Sequence, residues 1–144
     1  MRNPWCIIPL LGQGATEYAK GDIPLVRART LTITIQGAFS AGSIADTTVN
    51  LLYSPDGSNL DTVPYATIAL PFTASATVQR TLLCDPPEHG YMWVQLVNTD
   101  AVGSVGQIKI WYTIQSWDDI GADLIENSMM RALEKEKQEE TGQR

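Results

Sequence analysis

The clearest pattern in the chain is the alternation over LVRARTLTITIQG, where Leu31, Ile33 and Ile35 fall on one side and Thr30, Thr32 and Thr34 on the other before Gly37. A period of two with β-branched residues on both faces predicts a half-buried strand. The same period recurs with Val49, Leu51 and Tyr53 on one face against Thr48, Asn50 and Leu52 on the other. Ser54-Pro55-Asp56-Gly57 then ends that strand with turn chemistry: Pro55 sets φ, Asp56 hydrogen-bonds locally, and Gly57 takes the positive φ that a Cβ would penalise. Extended structure is expected to restart at Tyr65 and to end at Pro71. Further strands are predicted over residues 77–83, 91–97 and 107–115, the last with Ile108, Ile110, Tyr112 and Ile114 on one face. About six strands with Gly, Pro and Asp loops between them, and no helical period, leave no crossover helices for a parallel sheet. The expected fold is therefore all-β, an antiparallel sandwich or jelly-roll-like domain over residues 23–116.

The pattern changes at both flanks. In residues 1–22, Pro4, Pro9, Gly12, Gly14 and Gly21 interrupt any helix or long strand, which predicts an irregular, extended N-terminal arm. Trp5, Ile7, Ile8, Leu10 and Leu11 nonetheless need cover, either from the arm wrapping its own domain or from a neighbouring subunit. In residues 117–144 the period becomes helical. Asp118 or Asp119 can cap an amphipathic helix whose stripe is Ala122, Ile125, Met129, Ala132 and Leu133, with Leu124 beside it. The closing EKEKQEETGQR reads as a solvated, charged tail. Candidate interface residues are thus Trp5, Ile7, Ile8, Leu10 and Leu11 in the arm, and Leu124, Ile125, Met129 and Leu133 in the helix.

Composition narrows the function classes. Sixteen acidic against ten basic residues give a net charge of −6, which argues against a surface that tracks phosphates and so against a direct nucleic-acid partner. Charged residues are only 18% and hydrophobic ones 44%, as expected of a chain partly covered by neighbours. No stretch approaches ~20 apolar residues, so no membrane span is expected. The apolar run near the N-terminus is short and broken by Pro9, and no secretory leader is read there. Cys6 and Cys84 form no disulfide framework and read as free, partly buried thiols.

Little in the sequence suggests catalysis. His89 is the only histidine and sits in the turn-like DPPEHGY, so no nucleophile–base pair, and no enzymatic activity, is assigned. The loop acids Asp46, Asp56, Asp61, Asp85 and Asp100 lack the spacing of a calcium loop and fit Asx turns, and no metal or cofactor is expected. Aromatics on or next to strands, with Tyr65, Trp93 and Trp111 foremost, leave an alternative in which a carbohydrate-binding sandwich stacks sugar rings on exposed aromatic side chains.

The segments LLYSPDGSNLDTVPYATIAL and YMWVQLVNTDAVGSVGQIKIWYTI resemble small β-sandwich proteins encoded among the structural genes of tailed phages and prophages. The resemblance covers roughly residues 25–115, and a similar Tyr-Ser-x-Asp-Gly turn occurs in discoidin-like sandwiches that bind sugars or lipids. The phage resemblance implies a non-enzymatic virion component assembled in the host cytoplasm: a capsid decoration or cement protein, or a head-tail or tail accessory subunit. Its partners would be further copies of itself and other virion structural proteins, met through the apolar arm and the C-terminal helix.

Overall fold

Strand alternation in the sequence becomes two opposed faces in the computed structural model, which describes residues 3–118 of the 144-residue chain. Nine strands follow in order: β1 (Cys6–Leu11), β2 (Thr16–Tyr18), β3 (Ile23–Val26), β4 (Ala28–Phe39), β5 (Thr47–Ser54), β6 (Ala66–Leu70), β7 (Thr77–Cys84), β8 (His89–Asn98) and β9 (Val105–Ser116). They form two sheets in which every pairing is antiparallel, so the protein is an all-β antiparallel sandwich. The first sheet has the order β1-β9-β4-β7; the second has the order β2-β8-β5-β6, with β3 also paired to β8. The predicted helix carrying Leu124, Ile125, Met129 and Leu133 lies outside the described residues.

The core lies between the sheets. Leu31, Ile33 and Ile35 of β4 and Ile108 and Ile110 of β9 are buried from one side, against Val49, Leu51, Met92, Val94 and Leu96 of β5 and β8 from the other. Each such side chain contributes roughly 1.5–3 kcal/mol by leaving water. Strand β7 closes one edge of the first sheet. Its Arg80 pairs with Ile35 and shares the parity of the core-packed Val78 and Leu82, yet it remains exposed. A charge on the inward side of an edge strand discourages another strand from adding there.

The N-terminal segment corrects the expectation of an irregular arm. Residues 6–11 are the other edge strand of the first sheet, paired with β9 from Cys6↔Ile110 to Leu11↔Val105, and residues 16–18 pair with β8 in the second sheet. Pro9 is compatible with this because an edge strand has one side that needs no donor, and the register simply resumes past it at Leu10↔Gly106. The pleat also changes there. Cys6 and Ile8 face the core, but past Pro9 it is Leu11, paired with Val105, rather than Leu10 that is buried, and Gln107 on β9 between the Ile8 and Leu10 partners has a φ of 43°. The β4–β9 register shifts at the same level, around Gly37. A Cβ at Gly37 would lie 2.9 Å from both Leu70 Cδ2 and Val105 Cγ1, so only glycine lets the bulge pack this tightly.

Loops at one end are tied by a buried carboxylate. Asp100 Oδ2 accepts the N–H groups of Ile44 (2.6 Å) and Ala45 (3.0 Å), and Oδ1 those of Val102 (2.9 Å) and Gly103 (2.8 Å). These backbone donors hold its pKa down at about 2. Cys6 and Cys84 are free thiols on opposite edge strands of the first sheet.

Candidate functional site

The outward face of the second sheet carries one row of polar side chains at a common register. Tyr18 of β2 stands opposite Gln95 of β8, Gln95 opposite Asn50 of β5, and Asn50 opposite Thr67 of β6. Residues directly opposite on one face are close enough to bond, and these do. The Thr67 hydroxyl donates to Asn50 Oδ1 (2.9 Å), Asn50 Nδ2 to Gln95 Oε1 (3.0 Å), and Gln95 Nε2 to the Tyr18 hydroxyl (3.1 Å). The chain of bonds runs one way, which leaves Tyr18 with its own O–H to donate and each amide with a second N–H. Three inter-strand gaps of ~4.8 Å make the row about 14 Å long at the backbone.

The loop between β5 and β6, residues 55–65, rises beside this row and gives it a wall. Asp56 holds the loop's start: its Oδ1 accepts the Ser54 hydroxyl and the N–H groups of Ser58 (2.9 Å) and Asn59 (2.8 Å), and its Oδ2 accepts from Asn59 Nδ2. Those donors, the Asn59 and Ser58 backbone first, hold its carboxyl well below the usual carboxylate range. Gly57 at φ 86° turns the chain, and its carbonyl accepts the indole N–H of Trp93 at 3.2 Å. The loop's return is pinned to β5 through Asp61 N–H to Tyr53 O (2.9 Å) and Tyr65 N–H to Leu51 O (2.7 Å). The Ser54–Gly57 turn thus opens a loop that returns to extended structure next to Tyr65, at Ala66, close to where the sequence placed the restart.

Wall and floor together enclose an open groove of about 550 Å³ lined by Tyr18, Asn50, Leu52, Leu60, Asp61, Thr62, Pro64 and Gln95. Tyr18 is held edge-on to Trp93, with ring centroids 6.3 Å apart. The lining combines apolar surface, neutral amides and hydroxyls, and one carboxylate, and it contains no histidine, cysteine or lysine. Among the described residues no three His, Cys, Asp or Glu side chains gather to hold a metal. Such a surface offers fixed donors and acceptors beside apolar patches, which is chemistry for holding a hydroxyl-rich molecule.

A second depression, of about 410 Å³, lies among Ala28, Arg29, Thr30, Asp85, Pro86, Glu88 and Trp117. Its aromatic face is already taken, because the Arg29 guanidinium lies over the Trp117 ring at 5.3 Å. The aromatics singled out in the sequence do not converge. Trp93 lies beneath the loop, Trp111 is on the first sheet opposite Thr34, and the Tyr65 hydroxyl donates to the carbonyl of Asp85. His89 pairs with Val26 at the start of β8, and its carbonyl accepts the Tyr53 hydroxyl at 2.7 Å.

The candidate interface residues of the N-terminal segment divide. Ile8 and Leu11 are buried in the sandwich itself, Trp5 packs edge-on against Tyr112 at 5.2 Å, and Ile7 and Leu10 are exposed. Tyr18, Asn50, Thr67 and Gln95 were not singled out from the sequence. The one signal for them is a polar side chain at the outward position of a strand, which many solvent-facing residues share.

No family model matches the chain, and no curated protein does. Among solved structures it is similar to a CBM4 protein at 12% identity and a TM-score of 0.50, over 76% of this chain and 70% of that one. It is also similar to a family 16 carbohydrate-binding module at 16% identity and a TM-score of 0.47, over 74% and 72%. A third similar structure is the enzymatically active domain of tailspike protein 4 of bacteriophage CBA120, at 13% identity and a TM-score of 0.49, over 76% of this chain and 15% of that one. At 12% identity the likeness to the CBM4 protein is one of fold alone, that of a two-sheet β-sandwich.

Proposed function

We propose that the protein is a non-catalytic, glycan-binding β-sandwich, with its ligand in the groove on the second sheet. The observation that carries this reading is the bonded row Thr67–Asn50–Gln95–Tyr18 beside a stapled loop. Sugar hydroxyls both donate and accept, and amides fixed by their neighbours meet them with little loss of side-chain entropy. Tyr18, Leu52, Leu60 and Pro64 supply apolar surface for the C–H faces of the rings. At about 14 Å, the row is longer than one pyranose ring, so it suits a short run of sugar units. Similarity to structures described as carbohydrate-binding modules is compatible with this reading and does not carry it.

The test is a glycan array followed by calorimetric titration with Gln95→Ala. Wild type is expected to bind a glycan, and the variant to lose about tenfold in affinity, near the 1.4 kcal/mol that one well-placed hydrogen bond contributes, with its Tm unchanged. A folded wild type that binds nothing on the array, or a variant that binds like wild type, overturns the reading.

A second reading, a phage structural subunit that assembles with copies of itself or with other virion proteins, is favoured by the first sheet. Its outward face exposes Ile7 (52%), Leu10 (56%) and Leu83 (66%), and the resemblance to small virion sandwiches points the same way. Mass by light scattering on the full chain and on Ile7→Ser/Leu10→Ser tests it. A discrete oligomer dissociated by the double substitution supports assembly through this face, and a monomer in both cases removes self-assembly. Deleting residues 1–21 would not serve, because it would remove β1 and β2 and with them Leu11 from the core.

A further inference from the structure

We infer that Asp61 makes the groove selective for uncharged glycan chains and against chains that carry uronate or sulfate groups. The inference rests on the glycan-binding reading and specifies its ligand class. Asp61 is the single charged side chain among the eight residues lining the groove, and no basic residue lines it. Its position is fixed from behind by the bond from its own N–H to Tyr53 O, so the carboxylate belongs to a wall anchored on β5. The wall is further stapled by Asp56, whose bonds to Ser54, Ser58 and Asn59 hold a second acid in the same loop. Every other polar group along the groove is a neutral amide, hydroxyl or phenol: Asn50, Gln95, Thr62 and Tyr18.

Two consequences follow from that arrangement. A carboxylate has two oxygens that can each accept a hydroxyl proton, so a vicinal diol of a neutral sugar can bond to both, and bonds to a charged acceptor are about twice as strong as neutral ones. An anionic substituent in the same groove meets a like charge with no cation in the lining to offset it. The net charge of −6 on the whole chain repels such a ligand in the same sense before it arrives. Selectivity by repulsion needs no additional contact with the favoured ligand, only the penalty for the other.

The experiment titrates wild type, Asp61→Asn and Asp61→Glu with neutral gluco-, xylo- and manno-configured hexasaccharides and with hexagalacturonate, at low and high NaCl. Wild type is expected to bind at least one neutral chain at least tenfold more tightly than the uronate. Asp61→Asn should narrow that ratio about tenfold, and Asp61→Glu should keep it. Raising NaCl from about 0.02 M to about 0.5 M, which shortens the screening length several-fold, should strengthen uronate binding to wild type more than to Asp61→Asn, whose net charge is one unit less negative. Equal binding of neutral and uronate chains by wild type, or a ratio untouched by Asp61→Asn, overturns the inference while leaving glycan binding standing. Failure of folded wild type to bind any member of the panel, together with a blank glycan array, overturns the glycan-binding reading and this inference with it.

Discussion

The two outward faces of the sandwich are built from the same kinds of residue, yet only one is a candidate site. The first sheet also carries polar pairs across strands: the hydroxyls of Thr34 and Thr81 lie 2.9 Å apart, and Gln36 Nε2 donates to Gln79 Oε1 at 3.2 Å. A bonded amide pair is thus an ordinary way to finish a solvent-facing strand surface. What distinguishes the second sheet is the wall. Residues 55–65, stapled by Asp56 and anchored on β5, turn a row of side chains into a groove. The first sheet instead exposes Ile7, Leu10 and Leu83 around its polar pairs, a composition suited to contact with a flat partner.

The comparison can be tested from its largest expected effect downwards. Leu11→Ala should cost about 2–5 kcal/mol in a urea unfolding curve, because it empties a fully buried site, whereas Leu10→Ala should stay within about 0.5 kcal/mol. Equal effects would mean that β1 does not divide its side chains between core and outer face as described. Next in size is a contrast between the two amide rows. Gln95→Ala should weaken glycan binding about tenfold and Gln36→Ala should leave it unchanged, although each removes one partner of a cross-strand pair. Loss of binding in both variants would place the ligand somewhere other than the groove.

A pH titration of stability separates the loop staples from both faces. The folded pKa of Asp100 is depressed to about 2 from the ordinary carboxylate value of 3.8 by the backbone N–H groups it accepts, Ile44 first. Its contribution is therefore fully present above the ordinary value and is lost as pH falls through the folded one. Tm should be flat with respect to this group down to pH near 4 and should fall toward pH 2. Asp100→Asn should lower Tm at neutral pH and flatten that acid limb, and an unaltered acid limb would show that the carboxylate is not the tie. The smallest effect belongs to Leu83→Ser on the edge strand β7, expected to change stability by no more than about 0.5 kcal/mol while lowering surface apolarity. A larger loss would show that this side chain is covered in the native protein.

Much of the sandwich was legible because strand alternation is a local property. Leu31, Ile33 and Ile35, and Ile108 and Ile110, face the core as their spacing indicates. Asp56 bonding locally and Gly57 at positive φ also follow from residue type. The N-terminal strand was not legible. Pro9 and the glycines around it read as breakers, and only the position of β1 at a sheet edge makes the proline harmless. The switch of pleat that buries Leu11 and exposes Leu10 was hidden for a related reason: it depends on Gln107 and Gly37, on strands far away in sequence.

The candidate site marks the same boundary. The sequence by itself determined the class of fold, most of the inward-facing residues and the chemistry of the Ser54–Gly57 turn, because each follows from a period of two or from the conformational limits of single residues. Only the tertiary structure decided that Tyr18, Gln95, Asn50 and Thr67 share one row and that the loop after β5 stands beside it. Those four residues come from four strands, and which strands become neighbours is set by how the two sheets bury their apolar faces together, which alternation within any one strand does not encode.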